Sequence, residues 1–161
     1  MAVAVLAGLV AGWLRPPLGA RAIRLHLRRL PLLAVGAVGT AAAHVVPSDL
    51  AALVMGLALA VLLAFSITNA HITGVVVIGV GLLLNLIAVV LNNGIPVRGD
   101  SLVSAGVIDR ADLATATLTG PRHLETTDDR LSVLGDVVPL RPAREVLSFG
   151  DLIVVLGAAD A

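Results

Sequence analysis

The chain has 161 residues, of which 58% are hydrophobic and only 14% charged, and its mean hydropathy is +1.00. Soluble domains average about 45–50% apolar and about 25% charged residues, so the composition argues against a water-soluble globule, a disordered tail and a nucleic-acid binder. The formal net charge is zero, but residues 1–97 carry five Arg and one acid, whereas residues 98–161 carry six Arg and ten acids. We therefore predict an integral membrane protein with a basic first part and a mildly acidic tail.

Four apolar segments in the first 97 residues predict transmembrane helices, because a bilayer core needs about 20 apolar residues per helix. They cover residues 2–14, 31–46, 50–68 and 74–91. The first is short for a full span, and the ways for it to reach further are a smaller tilt, local bilayer thinning or snorkelling of Arg15. Its cations follow the apolar run instead of preceding it, which favours a retained segment over a cleaved signal peptide.

The arginines between the first two predicted spans set the orientation. Five of them lie within residues 15–29, and short loops rich in Arg stay in the cytoplasm. The prediction is a multi-pass protein of the cell membrane with its N-terminus outside, the 15–29 loop cytoplasmic and residues 92–147 outside. The bilayer is its expected partner, and nucleic acid is not.

The remaining chain completes the predicted fold class, an all-α membrane protein. Residues 1–97 form a small bundle of four transmembrane helices, and residues 98–147 form an extracytoplasmic segment with one short helix and loops. Residues 148–161 form a membrane-associated helix that begins with a capping box of Ser148 and Asp151. Its apolar run is about half a span long, so it is a partial or re-entrant fifth helix.

Polar residues in the predicted spans form a candidate membrane site, which consists of His44, Asp49, Asn85 and Asn92. His44 stands near the predicted outer surface, close to Asp49, and is either a structural interfacial residue or a proton or metal group. Asn85 and Asn92 share one helix face with small residues. That face is either a packing seam with an interhelical hydrogen bond or the polar lining of a solute path.

The arginines of the predicted inner loop are a candidate contact for anionic lipid. Arg21, Arg24 and Arg28 fall on one helical face, and Arg29 adjoins them. Each cation near an anionic headgroup contributes about 1 kcal/mol. The alternative is that these charges serve only as a topology signal.

No motif predicts an enzyme, a cofactor or a metal site. The sequence has no Cys and therefore no thiolate ligand. It has no H-E-x-x-H, no P-loop and no G-x-S-x-G, and its tail carboxylates do not have the spacing of an EF-hand. These carboxylates are expected at surfaces and helix caps.

Three short phrases in the second half carry a family resemblance. They are N-x-G-x-P-V at 92–97, L-G-D-V-V-P at 134–139 and S-F-G-D at 148–151. The chain resembles a family of small bacterial integral membrane proteins that is known only as a domain of unknown function. The resemblance implies a final helix that spans the bilayer, and it implies no reaction, cofactor or partner.

Three hypotheses of function follow. The first is a non-catalytic membrane scaffold or accessory subunit, with other membrane subunits or a second copy as partner. The second is a small transporter or channel component that uses the polar face of the fourth helix. The third is an enzyme acting on lipid at the outer interface, with His44 and either Asp49 or a tail carboxylate.

Overall fold

The computed structural model describes residues 27–160. Its five helices are α1 Leu30–Ala42, α2 Ser48–Thr68, α3 Thr73–Asn92, α4 Gly99–Ala105 and α5 Phe149–Asp160. Its four strands are β1 Ile95–Val97, β2 Arg122–Leu124, β3 Asp136–Leu140 and β4 Glu145–Ser148. The predicted span at residues 2–14 lies outside the described residues.

Helices α2 and α3 form the apolar body of the fold. They are 21 and 20 residues long and, by length and composition, apolar enough to cross a membrane. The turn between them is held by Asn69, whose Nδ2 donates to the carbonyl of Phe65 at 2.9 Å. Asn69 also bonds the backbone of Arg28 in both directions, at 2.7 and 2.9 Å. The start of the described chain is therefore fixed to this turn.

Glycine lets α1 approach α2 closely. A Cβ on Gly39 would lie 2.8 Å from the Cβ of Ala58, and one on Gly36 would lie 3.2 Å from the carbonyl oxygen of Ala58. Main chains separated by so little space make many dispersion contacts, which is how helices associate where no water drives them together. Below this contact lies a core of Met55, Leu59, Leu62, Leu82, Val89 and Val154.

Helix α5 packs against α3 in the antiparallel direction through two pairs of glycines. A Cβ on Gly81 would lie 2.5 Å from the carbonyl oxygen of Gly150. Seven residues away on each helix, a Cβ on Gly157 would lie 2.6 Å from the carbonyl oxygen of Gly74. A spacing of seven returns to the same helix face, so both pairs lie on one seam. This seam fixes where α5 begins relative to α3.

The sheet forms a cap over the end of the helices where α2 begins and α3 finishes. Its strand order is β2-β1-β3-β4, with β1 parallel to β2 and β3 and with β3 antiparallel to β4. A second apolar core, made of Val97, Leu102, Ala105 and Val146, joins the sheet to α4. The register places Asp136 opposite Ser148.

The predicted fold class is wrong. The described residues contain a four-stranded mixed sheet, and among the described helices only α2 and α3 are long and apolar enough to cross a membrane. Helix α1 has 13 residues, because the chain leaves the helix at Ala43 instead of continuing to Val46. The chain is therefore not an all-α bundle of four transmembrane helices.

The predicted segment of one short helix and loops at residues 98–147 also differs from the structure, because it contains strands β2 and β3. By contrast, the capping box of α5 is confirmed, because the Ser148 hydroxyl accepts a hydrogen bond from the Asp151 amide at 2.9 Å.

Candidate functional site

The capping box of α5 is joined to α3 by Asn85. The Ser148 hydroxyl donates to Asn85 Oδ1 at 2.8 Å, and Asn85 Nδ2 donates to Asp151 Oδ1 at 2.9 Å. All three side chains are buried, with 3–7% of their surface exposed. A buried amide is stabilising only when its polar atoms are bonded. The same residues that cap α5 therefore also bind it to α3.

An ion pair completes the buried polar group beside the capping box. Arg122 Nε lies 3.0 Å from Asp136 Oδ2, although the two atoms do not align as a hydrogen bond. Asp136 is buried at the start of β3, and Arg122 is the first residue of β2, two strands away. We call Asn85, Arg122, Asp136, Ser148 and Asp151 the polar cluster.

A small cavity lies where the cap meets the helices. Its volume is about 20 Å³, and every member of the polar cluster lines it together with His44. The other walls are apolar and come from Met55, Leu59, Ala88, Ile95 and Leu134. A water molecule needs about 10–15 Å³ of such volume, so the cavity has room for about one water.

Burial shifts the protonation of the polar cluster. It raises the pKa of Asp136 to about 6, and the nearby charges of Asp151 and Glu145 act in the same direction. The Arg122 guanidinium opposes this shift without cancelling it. The pKa of His44 is lowered by partial burial and by the charge of Arg122. The cavity therefore favours the neutral forms of both groups.

The structure brings together two of the four predicted membrane-site residues. His44 and Asn85 both line the cavity. Asp49 lies in the first turn of α2, is exposed, and is not among the residues that line the cavity. Asp49 was the expected neighbour of His44, but the structure places a residue of the cap there instead, because Gly120 packs against the His44 ring.

Asn92 lies apart from the cavity and holds the loop before β3. Its Nδ2 donates to the carbonyl of Arg130 at 3.0 Å, and its Oδ1 accepts from the Arg130 amide at 2.7 Å. A third bond joins Nδ2 to the carbonyl of Ala88 at 3.0 Å. Asn92 therefore clamps this loop to the end of α3.

The candidate lipid-contact arginines fall into two groups. Arg21 and Arg24 lie outside the described residues. Arg28 and Arg29 are exposed and stand beside the turn that joins α2 to α3, at the end opposite the cap.

The three phrases that carry the family resemblance meet at this site. Ile95 of the first phrase, Leu134 and Asp136 of the second, and Ser148 and Asp151 of the third all line the cavity. Their glycines permit close packing, as at Gly135, which lies against the Pro96 backbone. The sequence predicts surface or capping roles for Asp136 and Asp151. A single acid inside the apolar run at 134–139 was the available signal for Asp136.

Arg122 was missed, because nothing in its local sequence distinguishes it from a surface arginine. Its role depends on β2 pairing with β1, which brings it across the sheet to Asp136. Among residues 27–160, no group of three or more His, Asp and Glu side chains is arranged to hold a metal ion.

Fold and site together define a small helical module with two candidate membrane helices and a mixed-sheet cap. Its helices and cap are joined by a buried polar cluster. A family model for DUF5317, a family of unknown function, matches residues 24–159, and the chain belongs to that family. The prediction that the chain belongs to a family of unknown function is therefore confirmed. No curated protein and no solved structure matches the chain significantly.

Proposed function

We propose that this protein is a non-catalytic membrane scaffold or accessory subunit. In this proposal α2 and α3 lie in the bilayer as an antiparallel hairpin and hold the cap at one membrane surface. The observation that carries the proposal is the apolar character of the outward faces of these two helices.

Those outward faces expose large aliphatic side chains along the whole length of the hairpin. Leu53, Leu57 and Ile67 of α2 have 60–68% of their surface exposed, and Val76, Val80 and Val90 of α3 have 44–69%. Soluble monomers rarely expose contiguous apolar patches beyond about 300–600 Å². In water such faces are unfavourably exposed, whereas the acyl chains of a bilayer solvate them without that penalty.

The two ends of the hairpin carry different charged side chains. Arg28 and Arg29 stand exposed at the turn beside Asn69, where they can contact anionic headgroups. The acids of residues 98–147 lie at the opposite end, in the cap. By the bias of Arg toward the cytoplasm, the proposal puts the turn inside and the cap outside.

A structural role for the polar cluster supports a scaffold over a transporter or an enzyme. Gly81 and Asn85 of the suspected polar face of α3 lie against α5. The cavity beside them has room for about one water, which leaves little space for a solute or an organic substrate. In this proposal the cluster fixes the cap to the hairpin.

Single-cysteine labelling tests the membrane arrangement on a clean background, since the chain contains no Cys. Thr127→Cys in the cap and Ala70→Cys at the turn are both at exposed positions. In sealed vesicles, a membrane-impermeant maleimide is expected to label only one of them until the vesicles are opened. Leu57→Cys is expected to stay unlabelled in both states and to react only after denaturation.

Labelling of Thr127→Cys and Ala70→Cys from the same side would refute the hairpin topology, and recovery of the full chain in buffer without detergent would refute membrane residence. The scaffold role is tested separately by crosslinking in native membranes followed by mass measurement. It predicts a stoichiometric assembly with another subunit or a second copy. A chain that is always recovered alone contradicts the role without contradicting the topology.

A further inference from the structure

Two aliphatic side chains are exposed on the loop that Asn92 holds. Leu131 has 56% of its surface exposed, and Val133 has 50%. Leu131 immediately precedes the short 3-10 turn Ser132–Leu134, which contains Val133 and packs against α3. Leu134 of the same turn lines the cavity of the polar cluster. The loop therefore directs one aliphatic side chain to the interior and leaves two at its surface.

Hydrogen bonds fix the backbone on both sides of these exposed residues. Asn92 bonds both the carbonyl and the amide of Arg130. One residue earlier, Asp129 accepts hydrogen bonds from the amide and the hydroxyl of Thr126, at 2.7 and 3.1 Å. Leu131 then adopts a left-handed conformation with a φ of 48°, which is uncommon for a residue with a bulky side chain. The loop is thus held in a conformation that keeps both aliphatic side chains exposed.

The bonds of Asn92 also fix the level of the loop along α3. Its Nδ2 donates to the carbonyls of both Ala88 and Arg130, at 3.0 Å each. The two carbonyl oxygens therefore share one donor and lie close together. Ala88 stands one helical turn before the end of α3, so the loop lies beside the last turn of a helix that is long and apolar enough to cross a membrane.

The length of α3 matches the thickness of a bilayer's apolar core. Its 20 residues extend for about 30 Å, and the hydrocarbon core of a typical bilayer is about 30 Å thick. With α3 across the bilayer, its last turn lies at the boundary between acyl chains and headgroups. The Cα of Leu131 is about 3.8 Å from that of Arg130, which brings its side chain to the same boundary.

We propose that this loop is an interfacial anchor, which inserts Leu131 and Val133 among the acyl chains of a phospholipid surface. Arg130 is exposed, and its guanidinium suits the phosphate groups at that level. Val90 and Leu91, on the last turn of α3, are also exposed and add apolar surface at the same depth. The inference rests on the proposed membrane placement of the hairpin, and it adds that the cap itself binds lipid.

Fluorescence quenching of the full chain in vesicles tests the anchor. The variants Leu131→Cys and Val133→Cys are labelled in detergent with a polarity-sensitive fluorophore and reconstituted with phosphatidylcholine and phosphatidylglycerol. The matched control is Leu140→Cys, an exposed aliphatic position at the far end of β3 from the cavity residue Asp136. A lipid with a nitroxide on its acyl chain near the headgroup is expected to quench positions 131 and 133 more strongly than position 140. Dissolved iodide is expected to quench them in the reverse order.

A fourth variant, Leu57→Cys, separates this proposal from the one on which it rests. If the lipid quenches Leu57→Cys but quenches positions 131 and 133 no more than position 140, the anchor is refuted while the hairpin remains in the bilayer. If the lipid quenches none of the four positions, the membrane placement is refuted and the anchor with it.

Two further comparisons test the partner and the clamp. Protection of positions 131 and 133 from iodide in native membranes, but not in lipid vesicles, would assign the loop to a protein partner and overturn the proposal. Adding Asn92→Ala is expected to weaken lipid quenching of Leu131→Cys and to leave that of Leu57→Cys unchanged, because the clamp sets the level of the loop. Unchanged quenching at both positions would contradict this role of the clamp.

Discussion

Replacement of Asp136 by Asn is expected to change how stability depends on pH. In the folded chain the pKa of Asp136 is raised from 3.8 to about 6, chiefly by burial. Folding therefore takes up a proton at this carboxyl between pH 4 and pH 6. The stability that protonation supplies is present below pH 4 and is lost as the pH rises through 6, because the ionised form must then stay buried.

The size of the effect follows from the shift itself. About two pKa units correspond to about 3 kcal/mol, at 1.36 kcal/mol per unit. The side chain of Asp136 is only 3% exposed, so solvent does little to screen it. Asn is uncharged at every pH, and the Asp136→Asn variant lacks this loss. Relative to the wild type, the variant should gain about 3 kcal/mol between pH 4 and pH 7.

The assay is denaturant unfolding in mild detergent, followed by far-UV circular dichroism at intervals across this range. The control is Asp100→Asn, whose ion pair with Arg110 is more than 70% exposed and whose curve should run parallel to the wild type. A difference between wild type and Asp136→Asn that stays constant from pH 4 to 7 refutes the raised pKa. A wild type that gains relative stability as the pH rises would show that the Arg122 charge outweighs burial.

Three further variants test how the helices and the cap are joined. Gly150→Ala should cost at least 2 kcal/mol, because its Cβ would collide with Asn85 Oδ1 and lie 2.6 Å from the Gly81 carbonyl oxygen; a loss below 0.5 kcal/mol in the same unfolding assay would contradict the close seam. Asn85→Leu removes the bonds to Ser148 and Asp151 and should cost about 2–4 kcal/mol, whereas a more stable variant would show that the amide serves another purpose than packing. Asn92→Ala should loosen the loop at Arg130 and speed its proteolysis. The free energy of unfolding should fall by no more than about 3 kcal/mol, and unchanged proteolysis would argue against the clamp.

The helices were predictable because their signal is local. The charge-free stretch from residue 50 to residue 97 defines α2 and α3 within two residues at each end. Hydropathy dominates every other preference in such a segment, and the predicted capping box of α5 followed from two residues alone. The end of α1 was harder to place, because residues 43–46 contain no glycine or proline to mark the point where the helix stops.

The sheet was not predictable by the same reasoning. Its strands have three to five residues, too few for an alternating pattern. Strand β1 forms only because β2 and β3 arrive from 27 and 39 residues later to flank Val97. The site shares this limit. Asn85 was identifiable because an amide without hydrogen bonds in an apolar helix costs free energy. Its hydrogen-bond partners, Ser148 and Asp151, could not be identified, because their positions depend on the register of the cap.

The long sequence separation between Asn85 and its partners has a consequence for biogenesis. Ser148 and Asp151 follow it by 63 and 66 residues. At about 5–20 residues per second, a ribosome takes about 3 to 13 seconds to deliver them. During that interval α3 must fold while the Asn85 side chain does not yet have its contacts with Ser148 and Asp151. Chains that are stalled or cleaved before residue 148 would lack both contacts, so the join between α3 and α5 can form only after the chain is almost complete.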